Sequence, residues 1–179
     1  MNSPADFSPE LQNHLNGSCP LTHWGVIQAQ GDDAANFLHN QLSNDVLLLP
    51  VGQSRLAAFC SAKGRMQASF VVIKTTPDTV LLVMSLDLLA QTLKRLSMFV
   101  LRAKCELTDA TAEMAVEGLL GQAAQDALNA MNLVAPRADW MPAGVQNDSQ
   151  MLVGLPPGYV SAGPVARALS IRFNQAAPA

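Results

Sequence analysis

Apolar residues recur along this chain at two different periods, and the changes from one period to the other mark out its elements. Trp24 to Gln30 (WGVIQAQ) alternates as a strand does when one face is covered, and stops at Gly31. Asp32 then stands where a side chain can cap a helix through Asn40, in which Ala34, Leu38 and Leu42 share one face with Phe37. A turn at Pro50 to Gly52 precedes a strand over Leu56 to Cys60, and Ser61 to Arg65 (SAKGR) joins it as a hairpin to a strand from Met66 through Ile73. Thr75-Thr76-Pro77-Asp78 reads as another turn, followed by the apolar run Val80 to Met84. Ser85 is placed to cap the next helix, with Asp87 in its first turn and Leu89, Leu93, Leu96 and Val100 at helical spacing. A strand over Ala103 to Leu107 closes this series.

The order strand, helix, three strands, helix, strand predicts an α+β layer with two helices on one face of an antiparallel sheet, for which a ferredoxin-like arrangement is the natural candidate. A second pass starts at Met114 with a strand to Leu119, then Gly121 and an Ala-rich helix carrying Ala124, Leu128 and Met131. Proline and glycine dominate Pro136 to Pro164, leaving a strand at Met151 to Leu155 and a short helix over Val165 to Phe173. The expected organisation is a flexible arm over 1–22, broken by Pro4, Pro9, Gly17 and Pro20, a first half over 23–110, and the start of a truncated second half over 111–179. The ending NQAAPA reads as a frayed terminus or a cut.

With 49% hydrophobic and 14% charged residues in 179 positions, the chain can bury a core without disulfides. Eleven basic residues against 14 acidic ones, with no Lys/Arg cluster, argue against a direct nucleic-acid interface. Cys19, Cys60 and Cys105 lack C-x-x-C spacing and a His partner at ligand spacing, so they are expected to be reduced thiols of a cytoplasmic protein, and no metal site is expected. No basic n-region leads into an apolar stretch, and no run approaches the roughly 20 apolar residues of a membrane span.

Several residues could carry chemistry. HNQLSNDV, His39 to Val46, groups Asn40, Gln41, Asn44 and Asp45 near a helix end; the cluster could recognise a flat, amide-rich ligand or simply cap the helix with its own side chains. Lys63 and Arg65 flank Gly64 and could aim two cations at a carboxylate or phosphate, or form a solvated hairpin tip. Trp24 opens the first strand, where its ring could stack on a heteroaromatic ligand or pack as a rim residue. Arg102 and Lys104 could line the same cavity, but one exposed face of an alternating strand fits them equally well and is the favoured reading. His14, His23 and His39 are scattered, and no G-x-S-x-G, H-E-x-x-H or P-loop is present, so no nucleophile can be paired with a base.

The phrases W-G-V-I-x-x-x-G-D-D-A-x-x-F-L-H-N-Q-L-S-N-D-V, A-A-F-C-S-A-K-G-R-M and F-V-L-R-A-K-C resemble the YgfZ/GcvT folate-binding family from Trp24 to about Leu107. The resemblance implies two interleaved ferredoxin-like halves around a tetrahydrofolate cavity, normally followed by a C-terminal β-barrel that this chain is expected to lack. It implies folate contact at Trp24; Asn44 and Asp45 are then expected to satisfy ring or amide atoms of the folate, and Lys63 or Arg65 could meet its glutamate carboxylates. The family's K-G-C-[YF]-x-G-Q-E segment is absent from these 179 residues, and Cys60 does not stand in for its cysteine. Aminomethyltransferases of the family carry a catalytic aspartate after the glycine turn, where this chain reads MQASF from Met66 to Phe70. The resemblance thus points to a tetrahydrofolate-binding protein that supports iron–sulfur enzyme assembly or repair, with iron–sulfur clients as partners and an indirect effect on tRNA modification. The alternatives are an aminomethyltransferase-like enzyme and a folate-free protein-interaction scaffold.

Overall fold

A computed structural model of the chain describes residues 15–133, 144–146, 150–160 and 163–173. Its elements are β1 (Gly17–Pro20), β2 (Trp24–Gln30), α1 (Ala34–Gln41), β3 (Gln53–Cys60), β4 (Met66–Thr76), β5 (Thr79–Ser85), α2 (Leu86–Val100), β6 (Glu106–Asp109), β7 (Met114–Leu120), α3 (Gln122–Ala130), β8 (Gly144–Gln146), β9 (Gln150–Val160) and β10 (Gly163–Phe173). They build two antiparallel five-stranded sheets, ordered β3-β4-β5-β2-β6 and β1-β7-β10-β9-β8.

The two sheets face each other. Val26, Val71, Ile73, Leu81 and Val83 of the first meet Met114, Val116, Met151, Val153, Leu169 and Ile171 of the second in one buried cluster. The outer face of the first sheet carries α1 and α2, through Ile27, Leu82 and Met84 against Phe37, Leu38, Leu89 and Leu96. The outer face of the second sheet receives Ala124 and Leu128 of α3 on Leu152 and Ala168. The layers therefore run helices, sheet, sheet, helix. This explains why Val80 to Met84 is a continuous apolar run: β5 is central and covered on both faces. The α+β class and the placing of two helices on one sheet face follow the sequence pattern. No helix among the described residues is long and apolar enough to cross a membrane.

The two sheets are also related to each other. β2 and β7 are each seven residues long, each ends at a positive-φ glycine that opens a helix, and each lies between a hairpin strand and a short edge strand. For β2 the edge strand is β6, with Gln30 opposite Glu106; for β7 it is β1, with Leu120 opposite Gly17. A Cβ on Gly31 would collide with the Lys104 carbonyl, and one on Gly121 with the Leu15 carbonyl, in each case two residues before the edge strand. The N-terminal strand thus fills in the second sheet the place that β6 fills in the first.

Four local expectations are corrected. The last part of the arm is a strand, because Gly17–Pro20 satisfies the free edge of β7. Asp32 does not cap α1; Asp33 occupies the N-cap, and its carboxylate accepts the backbone N–H of Lys104 at 2.8 Å instead. Arg102 and Lys104 lie in a turn before β6 rather than on a strand, with Lys104 Nζ 3.3 Å from the Asp32 carboxylate. Val165 to Phe173 is not a helix but most of β10: pairing with β7 and β9 buries Ala168, Leu169, Ser170 and Ile171 on both faces, and this non-local gain overrides local propensity. The expected frayed terminus and residues 1–14 lie outside the described residues.

Candidate functional site

The strand pattern leaves an opening on the inner face of the first sheet. Along that face the rows are Val26, Val83, Val71 and Leu56, then Trp24 with its partner Ser85, and Ser69 with its partner Ala58. The first row meets the second sheet on one side. In the next row, serine and alanine replace branched residues, so the surface drops away beside the Trp24 ring. Gly25 makes this possible from behind, since a Cβ there would lie 2.6 Å from Leu89 Cδ1 and 2.9 Å from Thr111 Oγ1. β2 can therefore press flat against α2 while Trp24 stands on the opposite face.

The result is a groove with two compartments that share Trp24, Leu56 and Val71. One, of about 530 Å³, is lined by Ser43, Ala58, Met66, Ser69, Phe70, Met84 and Ser85; the other, of about 450 Å³, is closed by Leu155, Pro156, Pro157, Tyr159 and Arg167 of β9 and β10. These sizes fall in the range of small-molecule sites, and the walls are mainly apolar with a few convergent polar groups. Trp24 is half-buried, and its Nε1 donates to His23 Nε2 at 3.0 Å, which fixes the ring edge and leaves a face toward the groove.

Three hydroxyls line the first compartment, each with a different hydrogen-bond commitment. Ser85 Oγ donates to the Asp87 carboxylate at 2.6 Å, so it offers lone pairs to a ligand. Ser43 Oγ accepts the Ala58 backbone N–H at 2.9 Å, so it retains its own hydrogen to donate. Ser69 makes no side-chain hydrogen bond among the described residues and can do either. This set suits a flat ring bearing both N–H donors and carbonyl or ring-nitrogen acceptors. No carboxylate lines either compartment among the described residues, and no His/Cys/Asp/Glu group there could hold a metal ion. The three cysteines are unpaired, and burial followed by the nearby Asp33 charge pushes the Cys105 thiol up.

Of the residues expected from sequence, Trp24 alone lines the groove. Asn44 is tied into its own loop: Nδ2 donates to the Leu56 carbonyl at 2.9 Å, while Oδ1 accepts from the Asp45 amide at 2.9 Å and from Arg55 Nη1 at 3.3 Å. Asp45 Oδ1 accepts the Leu48 amide at 2.9 Å and lies 3.3 Å from His39 Nδ1. The Leu48 amide above all, with the His39 and Arg55 charges adding against a desolvation effect, holds the Asp45 carboxyl below its ordinary value. These two side chains hold the loop that carries Ser43 and brace Leu56, and so shape the groove from behind. Lys63 and Arg65 are exposed at the hairpin tip, where Ser61 N–H donates to the Arg65 carbonyl at 2.8 Å, and neither lines the groove. Sequence reading missed Ser69, Ser85, Tyr159 and Arg167. Ser69 within the apolar strand β4 and Ser85 at the end of β5 were the available signal for the serines; nothing local marks the other two, which reach the groove through the β9–β10 pairing.

A model of the GCVT N-terminal domain matches residues 14–143, well over half of the chain. The chain belongs to this family. Among curated relatives, it is 42% identical over 50 residues to the tRNA-modifying protein YgfZ of Photobacterium profundum, covering 28% of the chain and 15% of that protein. It is 34% identical over 84 residues to an aminomethyltransferase of Lysinibacillus sphaericus, covering 44% of the chain and 23% of that protein. Among solved structures, the glycine cleavage system aminomethyltransferase T of Bartonella henselae superposes with a TM-score of 0.69 at 18% identity, over 92% of the chain and 44% of that protein. This GCVT-family chain therefore spans less than half the length of each of these three proteins, and the likeness to the solved structure is one of fold.

Proposed function

We propose that the chain binds a reduced folate, tetrahydrofolate or a close derivative, in the groove walled by Trp24, and that it does so as a cytoplasmic binding protein rather than as a transferase. The observation that carries this reading is the Trp24 compartment itself: an aromatic wall, an apolar floor and hydroxyls of mixed hydrogen-bond character at Ser43, Ser69 and Ser85. A pterin ring presents alternating donors and acceptors on a flat face and meets all three demands. Membership of the GCVT N-terminal domain family and the fold shared with an aminomethyltransferase support the choice of ligand. Relatives named as tRNA-modifying YgfZ proteins support a downstream link to tRNA modification. We extend this to a role in iron–sulfur enzyme assembly or repair, with client proteins as partners and tRNA affected indirectly. Asn44 and Asp45 serve this site by holding its loop, and Lys63 and Arg65 lie outside it.

The rival reading, an aminomethyltransferase, is favoured by the Lysinibacillus relative. It is disfavoured by the groove: Ser69, inside MQASF, lines it with a hydroxyl where transfer chemistry needs a carboxylate. Anaerobic calorimetric titration of tetrahydrofolate into the wild type and Trp24→Ala tests the proposal. Saturable heat in the wild type, weakened on the order of tenfold or more in the variant, is expected from loss of ring stacking. Absence of any binding, by a protein with an intact melting transition, would leave a folate-free scaffold. Repeated transfer of labelled methylene from an aminomethyl-lipoyl donor to tetrahydrofolate would establish the enzyme instead.

A further inference from the structure

The aromatic wall of the groove leans on its own chain neighbour. Trp24 is the first residue of β2, and the turn before it carries His23, whose side chain is exposed and lines neither compartment. Leu21 N–H donates to the Val116 carbonyl of β7, Trp24 N–H to the Leu21 carbonyl, and Leu86 N–H at the start of α2 to the His23 carbonyl at 2.9 Å. The His23 backbone is therefore fixed by bonds that do not involve the imidazole.

The imidazole has a single hydrogen bond among the described residues. Its Nε2 accepts the Trp24 Nε1–H at 3.0 Å, and the two rings meet edge to face, 6.4 Å between centroids and 80° between planes. An indole N–H can only donate, so this bond requires a lone pair on Nε2, which the imidazole has when neutral with its proton on Nδ1. In the imidazolium both nitrogens are donors, and the two N–H groups then oppose each other. The turn itself, from Leu15 to Trp24, holds no charged residue. On the elements packed around it the charged groups are Asp87 in the first turn of α2, Glu113 just ahead of β7, and Glu117 within β7. Asp87 accepts the Ser85 hydroxyl, Glu117 is paired with Arg172, and His23 has no ion pair among the described residues. Protonation of His23 thus breaks the bond to Trp24 and supplies no carboxylate partner in return.

We propose that His23 is a positioning residue for the ring site: as a neutral imidazole it holds the Trp24 indole by its edge with one face on the groove, and a proton on Nε2 releases the ring and weakens the ligand. The proposal rests on the folate reading and adds a regulation to it. Acid lowers affinity through a group that does not touch the ligand.

Anaerobic calorimetric titration of tetrahydrofolate at about pH 8 and about pH 5.5, which bracket most of the histidine range, into wild type, His23→Gln and His23→Leu tests this. Wild-type affinity should fall on the order of fivefold in acid, the effect of one neutral hydrogen bond. His23→Leu, which has no acceptor, should show that loss already at the higher pH and no further one. His23→Gln, whose amide oxygen accepts the indole N–H at either pH, should keep the wild-type affinity and be insensitive to acid. In the free protein carrying Trp140→Phe, acid should lower the fluorescence anisotropy of Trp24 with His23 present and not with Gln in its place. Acid-insensitive binding by the wild type, or an acid loss that persists in His23→Gln, would overturn the positioning role and leave the folate reading standing. A wild type that binds no tetrahydrofolate at either pH overturns the folate reading and the binding role together, whatever the anisotropy shows.

Discussion

The two sheets follow one plan and differ in where their edge strands come from. In the first, every strand lies in the continuous stretch from Trp24 to Asp109, and two helices seal its outer face. In the second, β1 arrives from before the first sheet and occupies the place of β6, with Gly121 crowded against the chain as Gly31 is. The first sheet thus closes through contacts within itself, whereas the second depends on a four-residue strand contributed from a distance. This difference assigns roles: the first sheet is a stiff floor that fixes Trp24, and the β9–β10 hairpin of the second is the wall that completes the groove.

The comparison breaks most visibly in the cores. Leu82 and Leu128 are both fully buried, but Leu82 lies in the large cluster between the first sheet and its helices, and Leu128 in the small one under α3. Leu82→Ala should cost about 4 kcal/mol and Leu128→Ala about 2–3 kcal/mol, because the smaller cluster relaxes more easily around the void. Urea unfolding curves measure both, and equal or reversed losses would contradict the assignment of a stiff floor.

The glycine turns come next. Gly31→Ala should destabilise by about 3 kcal/mol, since a positive-φ position is strained and the new methyl meets the Lys104 carbonyl. Gly121→Ala should cost about 2 kcal/mol, because the short β1 can detach and relieve the same collision. Hydrogen exchange separates the two: Gly121→Ala exposes the β1–β7 amides and leaves β2 protected.

Much of the first sheet was legible in the sequence, because its strands and helices alternate in local order and each shows its own period. Trp24–Gln30 and the Leu89, Leu96 face of α2 are read directly from spacing. In the second sheet β7, α3 and the Met151–Leu155 part of β9 were legible in the same way, but β1 and β10 were not, since they exist through pairing with β7. Nothing within GSCP or GPVARALSIRF states that partner, and the helical spacing of Val165, Leu169 and Phe173 misleads. The groove divides in the same way: Trp24, at the mouth of a locally legible strand, was found, and Arg167, delivered by a long-range hairpin, was not. The polar cluster at Asn44 and Asp45 was visible, but its hydrogen bonds are spent on the loop.

That loop gives the smallest expected effect. Because the Asp45 carboxyl is held below its ordinary value, its contribution to stability is complete above the unfolded value near pH 3.9 and is lost as pH falls through the folded one. Asp45→Asn should therefore lower the urea midpoint slightly at about pH 6 and not at about pH 2. A difference that persists in acid would mean that the side chain acts by shape and not by charge.

The central claim is that a flat ring binds against Trp24. The most direct measurement is tryptophan fluorescence of a Trp140→Phe variant, in which Trp24 is the remaining tryptophan, titrated with tetrahydrofolate under anaerobic conditions. Saturable quenching of the Trp24 emission is expected, with the same midpoint as the calorimetric titration. Binding heat without any change in Trp24 emission would place the ligand elsewhere and contradict the account.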